Sequence, residues 1–382
     1  MSAPLVVFGE DWGAHPSSTQ HLVRELAGSR AVVWVESIGL RRPRATLHDM
    51  RRAAQKLLAV ARGGRSADRA EDGKADSRDM RLFHRLAPLA VPAASGRAAR
   101  YLNRLLLGRA VRRALRRHRL ERPILWISLP TAVDVIGSIG ERAVVYYCGD
   151  DWGALDGVDH TPVCRCEAEL QNKADVILAA SPALAARFPP HKTVVVPHGV
   201  DLRRFGDRQP RAADFLAGTP VAGFFGSLSA WIDVPLIAAA AAALPDWRFL
   251  LIGPVRSDVS SLRALPNVDI VGPRPHAALP GYVQHWDVSL LPFRDTAQIR
   301  ACNPLKLREY LAAGAPVVAT DFPALDGYRD LVEVASTPEA FVAAIRRAGA
   351  EGRLRAAQRL VRVTDESWSV RARQVEEILA VW

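Results

Sequence analysis

The feature that most constrains this chain is a rhythm that starts twice. Short runs of β-branched and aromatic residues alternate with helical segments. In the first half the runs are LVVFG from Leu5, AVVWVES from Ala31, PILWISLP from Pro123, AVVYYC from Ala143, DVILAAS from Asp175 and TVVV from Thr193. In the second half they are VAGFF from Val221, RFLLIGPV from Arg248, VDIVG from Val268, DVSLLPF from Asp287 and PVVAT from Pro316. Runs apolar on both faces and spaced by helices specify parallel sheets with covered faces. The expected fold is therefore α/β: two Rossmann-like, doubly wound domains facing a cleft. The 382 residues suit two domains. The break is expected in the charged, turn-rich stretch DLRRFGDRQPRAADFLAGTP, giving domains 1–205 and 206–365, with residues 366–382 as a closing helix. Residues 41–96 carry few regular signals, and GGRSADRAEDGKADSRD within them is polar enough for a mobile loop.

Several classes are disfavoured. Leu5–Gly9 is far too short for a secretory signal, and no apolar run approaches the length of a spanning helix. Four scattered cysteines fit a reduced, cytoplasmic protein. Cys164 and Cys166 with Cys148 lack a fourth ligand, so no metal is expected. Neither half opens with G-x-G-x-x-G between strand and helix, which argues against a dinucleotide oxidoreductase.

The net charge is +11, and it is unevenly placed. Met80 to Leu120 contains eleven arginines and no acid. On helical spacing, Leu102, Leu105, Leu106, Ala110 and Val111 form one face of RAARYLNRLLLGRAVRRALRRHRL, with Arg100, Arg104, Arg112, Arg116 and Arg119 elsewhere. Such a helix suits an anionic membrane surface, or simply a solvated helix on the core. No aromatic interleaving supports nucleic acid.

The most chemical stretch is CNPLKLREYLAAGAPVV, residues 302–318. Asn303 and Pro304 lead into a helix start bearing Lys306, and Glu309 follows one turn on. Helix N-termini offer unpaired N–H groups and a positive dipole end, so a lysine there makes a phosphate site. The alternative is a surface pair at i, i+3.

The order VVVPHGVDLRRF, VAGFFGSLSAWID, LLIGPV, VDIVGPRPHAALPGYVQHWDVSLLPF and CNPLKLREYLAAGAPVVAT resembles the donor half of bacterial GT-B glycosyltransferases. The likeness is to the family 4-like, teichuronic-acid type, and more distantly to the glucuronosyltransferase of xanthan synthesis. It covers residues 140–330 well and residues 41–120 hardly at all. It implies a C-terminal helix crossing back to the first domain, with Trp368 and Trp382 as packing anchors. It implies a nucleotide-diphosphate sugar donor, UDP- or GDP-linked, and an acceptor that is lipid-linked or a polysaccharide. No cofactor or metal is implied. The donor residues would be Gly226, Ser227, Trp231, Asp233, Arg274, Asn303, Lys306 and Glu309: Lys306 on the diphosphate, Glu309 on the ribose and Arg274 near the base. Many retaining members carry a second glutamate at the position of Ala301, so retention and inversion both stay open. His198 is expected to order the turn between the domains.

The first half carries GEDWG at 9–13 and GDDWG at 149–153, each after an apolar strand. Acids placed there suit a base for the acceptor hydroxyl. Asp150 and Asp151 resemble the acidic pair of the related enzymes, with Asp151 slightly preferred, and His15 is a further candidate. The expected function is a glycosyltransferase of cell-envelope or exopolysaccharide synthesis, cytoplasmic and peripheral on the inner membrane face through the Arg100–Arg119 region. A sugar-nucleotide epimerase and a non-catalytic nucleotide-sugar scaffold are the alternatives.

Overall fold

The computed structural model describes residues 2–13, 17–38, 82–91, 96–155, 158–215 and 218–382. The chain divides into two compact units, Met1–Pro197 with Arg371–Trp382, and His198–Val370.

The first unit holds a parallel sheet of β1 (Leu5–Phe8), β2 (Val32–Val35), β3 (Phe83–Leu86), β4 (Ile124–Ile127), β5 (Ala143–Cys148), β6 (Val176–Ala179) and β7 (Thr193–Val195). Their order is β3-β2-β1-β4-β5-β6-β7. The central strands are buried throughout, which is why they read as unbroken apolar runs. β3 was not foreseen. It is an edge strand of sequence FHRL, half-buried, so its composition carries little signal.

The second unit holds β8 (Val221–Phe225), β9 (Arg248–Ile252), β10 (Val268–Gly272), β11 (Val288–Leu291), β12 (Val317–Ala319) and β13 (Val332–Val334), in order β10-β9-β8-β11-β12-β13. β13 is the other unforeseen strand, again a short edge, VEV. In both sheets the order reverses between the first and fourth strands. Ligands of open α/β sheets bind at the carboxyl ends beside that reversal. It falls between β1 and β4 in one unit and between β8 and β11 in the other.

The unit boundary at Pro197 lies earlier than the expected 205/206. The reason is local: Val200 N–H donates to the Glu366 carbonyl (2.9 Å), and Trp368 N–H donates to that of Val200 (3.2 Å). This pairing ties residues after Pro197 to the second unit. Trp368 is buried against Gly199. The expected closing helix at 366–382 spans Trp368–Leu379, and a 3-10 turn at Thr364–Glu366 separates it from the helix Ala356–Arg362.

The basic helix spans Arg97–Arg117, but its buried stripe differs from the expected one. Asn103, Leu107, Gly108, Val111, Ala114 and Leu115 face inward, while Leu102 is exposed. Arg100 is not available to a surface partner, since it bonds Glu169 through both terminal nitrogens (2.6 Å each) and Asp134 through Nε (2.8 Å). Arg112 donates to the Ser138 carbonyl.

An ion pair helps to hold the closing residues in the first unit, beside the Gln374 amide donating to the Val195 carbonyl (3.1 Å) and the buried Val375 and Leu379. Arg30, 4% exposed at its side chain, donates to Glu376 from Nε and Nη2 (2.8 and 2.5 Å) and from Nη1 to the Ala3 carbonyl (3.0 Å). Glu376→Ala would leave a buried guanidinium without its carboxylate. We expect a loss of about 2–3 kcal/mol in denaturant unfolding of the first unit. A loss below about 0.5 kcal/mol, as for a surface pair, would show that residues 371–382 do not anchor there.

Candidate functional site

At the carboxyl end of β8 the chain turns through Gly226, with φ +138°. A Cβ there would overlap the Lys306 side chain, whose Cε and Nζ lie across the glycine. The next glycine, Gly253 after β9, has φ +149°, and a Cβ on it would strike the Gly226 carbonyl. Only glycine permits this approach. The Gly226 N–H donates to the Ile252 carbonyl (2.8 Å), so Gly226 contributes space, not a donor. Ser227 Oγ pairs with Ser229 Oγ at 2.6 Å.

Lys306 lies in the first turn of the helix Leu305–Ala312, whose start has no side-chain cap. Its ammonium sits 5.7 Å from the Phe224 ring centroid. It has no hydrogen-bonding or ion-pair partner among the described residues. Burial pulls it below its usual range, against the opposing pull of Glu309 and Cys302. A half-buried cation, a glycine-lined turn and an uncapped helix start thus meet at the strand-order reversal. That combination is what an anion such as a diphosphate requires.

Glu309 follows one turn on, buried, with Oε1 2.7 Å from His276 Nε2. Asn303 faces inward. Its carboxamide oxygen accepts from Arg308 Nη1, and its backbone carbonyl meets His198 Nδ1 at 2.6 Å. Arg308 continues to Glu366 (2.5 Å), which also accepts from the Tyr328 hydroxyl (2.6 Å). The expected ligand role of Asn303 therefore gives way to a structural one: it fixes the turn that carries Lys306. His198 orders the same turn.

Two other expected donor residues are committed to the protein. Arg274 donates to Asp214 (2.8 Å), the Tyr282 hydroxyl (3.1 Å) and the Val271 carbonyl (3.0 Å). Asp233 caps the helix Val234–Ala243, accepting from the Leu236 N–H at 3.0 Å. Trp231 is half-buried and packs on the core of this unit. Ala301 is buried and supplies no carboxylate. Its polar neighbours do not replace one, because Asp295 is locked to Arg300 by two bonds of 2.6 Å and Thr296 caps the short helix Ala297–Ala301.

In the first unit the two acidic loops divide their work alike. The second acid of each braces the loop: Asp11 accepts from the Ser37 N–H (3.1 Å), and Asp151 from the Gly153 N–H (3.0 Å) and Arg187 (2.6 Å). Arg187 also holds Glu167 (3.0 Å), which accepts from the Tyr146 hydroxyl (2.6 Å). Asp150 is different. Its carboxylate has no hydrogen-bonding partner among the described residues, and the residue is exposed. Loss of hydration in the loop, then the like charges of Glu10 and Asp151, push it up to about 6. The geometry thus favours Asp150 over Asp151, reversing the sequence preference, because an arginine distant in sequence claims Asp151. His15 lies outside the described residues. No three His, Cys, Asp or Glu side chains among the described residues form a metal-ligand group.

His276 was not singled out from the sequence. It follows Arg274 in the quoted stretch, but nothing in its spacing marks it. Its link to Glu309 arises only when the loop after β10 meets the helix after β11.

Comparison with known proteins fits this arrangement. Residues 219–350 match the family model described as glycosyl transferases group 1. The chain is 31% identical over 224 residues to a protein of Bacillus subtilis (strain 168) named for teichuronic acid biosynthesis glycosyltransferase TuaH. That match takes in 53% of this chain and 56% of the relative, so the chain spans a little over half of the relative's length. Among solved structures, sucrose-phosphate synthase from Thermosynechococcus elongatus superposes with a TM-score of 0.69 at 16% identity, covering 99% of this chain and 98% of the other. Anabaena HepE in complex with UDP gives 0.67 at 14% identity, covering 99% and 100%. The chain has the GT-B fold, and its residues 219–350 are similar to the glycosyl transferases group 1.

Proposed function

We propose that this protein is a glycosyltransferase that takes a sugar from a nucleoside-diphosphate donor. The observation that carries the reading is the Lys306 ammonium, without a hydrogen-bonding or ion-pair partner among the described residues, laid over Gly226 at an uncapped helix start. When the glycosidic bond to the donor phosphate breaks, negative charge builds on the leaving diphosphate. A fixed cation and oriented N–H groups lower the energy of that state. The complexes of HepE with UDP and with UDP-glucose support a uridine donor. No metal is needed to neutralise the diphosphate in this scheme.

The second unit holds the donor, and the first supplies the acceptor side. In an inverting transfer Asp150 takes the proton of the acceptor hydroxyl. A carboxyl near 6 is ionised at neutral pH yet basic enough to accept it. The absent carboxylate at Ala301 favours a second reading, a nucleotide-sugar scaffold without turnover. A hydrolysis and transfer assay separates the two.

The acceptor is a lipid-linked or polysaccharide glycan of envelope or exopolysaccharide synthesis, reached from the cytoplasmic face of a membrane. No helix among the described residues is long and apolar enough to cross one. The support for surface binding is the outer face of the helix Arg97–Arg117. There Arg109, Arg113, Arg116 and Arg117 are exposed, with Tyr101 64% and Leu102 44% exposed near its start. Cations beside exposed apolar side chains suit anionic headgroups.

Three outcomes are expected. Lys306→Ala lowers turnover about 10²–10³-fold with the melting temperature retained; near-normal turnover would remove Lys306 from the reaction. For Asp150, wild-type turnover rises through pH about 6, and Asp150→Asn abolishes that rise while Asp151→Asn does not. The sign on stability is opposite. A carboxyl raised in the fold costs stability once pH exceeds its unfolded value, increasingly up to its folded one. Asp150→Asn should therefore raise the melting temperature at pH 8 and leave it unchanged near pH 3.5. An unaltered melting temperature at both pH values would contradict the raised carboxyl. Finally, glutamate at positions 109, 113, 116 and 117 together should abolish sedimentation with vesicles containing phosphatidylglycerol; unchanged binding would exclude this face.

A further inference from the structure

A part-buried polar chain in the second unit runs through three residues far apart in sequence. Arg204 Nη1 lies 3.0 Å from His276 Nδ1, and His276 Nε2 lies 2.7 Å from Glu309 Oε1. A guanidinium can only donate, so Nδ1 must carry the lone pair. The imidazole is then neutral with its proton on Nε2, and that proton points at the Glu309 carboxylate. Either alternative protonation places two N–H groups, or two lone pairs, face to face. The surroundings hold this tautomer in place. Arg204 is set by Asp201, which accepts from its backbone N–H (3.0 Å) and lies 3.5 Å from Nε. Phe205 packs edge-on against the imidazole, 5.4 Å between centroids.

The consequence falls on Glu309. Its side chain is 9% exposed, its Oε1 is engaged, and its Oε2 has no partner among the described residues. It stands one helical turn from Lys306, on the same side of the helix. We infer that His276 is a positioning residue: it fixes the Glu309 carboxylate so that the free oxygen meets the ribose diol of the donor nucleotide, and Arg204 sets the tautomer that lets it do so. The inference rests on the donor reading above and on the ribose contact that the family resemblance implies for Glu309; the positioning by His276 and Arg204 is what it adds. Its physical content is pre-organisation. A carboxylate already held in one rotamer loses little further freedom when a diol binds.

The test is calorimetric titration of the full chain with UDP and with 2′,3′-dideoxy-UDP, with the guanosine and adenosine pairs run in parallel. Wild type should prefer the ribose form by about tenfold or more, the worth of hydrogen bonds to a charged group. His276→Ala should lose about tenfold for the ribose nucleotide and nothing for the dideoxy one. His276→Gln, which keeps an N–H near Nε2, should restore the preference to within about threefold. Arg204→Met, at a partly exposed position, should weaken the preference in the same sense and covers the case where His276→Ala fails to fold. Equal losses for both nucleotides, or none for either, would overturn the inference and leave donor binding standing. A wild type that binds nucleotides without distinguishing the diol would overturn it through Glu309. A wild type that binds none of them would remove the donor reading, and the inference with it.

Discussion

The rest of the second unit depends on one contact, the Lys306 side chain lying across Gly226. A lysine held this way is costly. Burial disfavours its charge, and no protein partner among the described residues repays the lost hydration. Such a cation makes physical sense when an anion is meant to complete it. By linkage, a bound diphosphate would draw the ammonium back toward its usual range and gain affinity from doing so. The glycines are part of the same arrangement. With a side chain at position 226 or 253 the turn after β8 could not lie this close to the helix start.

The turn that delivers Lys306 is overdetermined. Asn303 is gripped by Arg308 and His198, and Arg308 is held by Glu366 with Tyr328. Two of these residues, His198 and Glu366, sit near the two ends of the second unit's continuous segment. The residues around the unit boundary and those that fix the phosphate turn therefore form one buried network. A binding group on such a base keeps its geometry, which is what electrostatic stabilisation of a leaving group demands.

Much of this was legible in the sequence, for identifiable reasons. The inner strands announce themselves because burial on both faces forces apolar runs. β3 and β13 do not, because edge strands need few apolar residues, and FHRL and VEV look like loop. Lys306 and Glu309 stood out because a helix start is a local event, written in adjacent residues. Arg274, Asp233 and Asn303 were harder. The family resemblance suggested them as ligands, but each is engaged within the protein, Arg274 by an aspartate sixty residues away. The choice between Asp150 and Asp151 turned on Arg187, thirty-six residues on. His276 was invisible for the same reason. Pairings across the fold decide which polar side chains remain for a ligand, and such pairings leave no trace in local spacing.

The most direct measurement is a crystal structure of the chain grown with UDP. The account predicts the diphosphate at the carboxyl end of β8, with a phosphate oxygen about 3 Å from Lys306 Nζ and over Gly226. A diphosphate bound elsewhere on the second unit, with Lys306 still unpartnered, would contradict it.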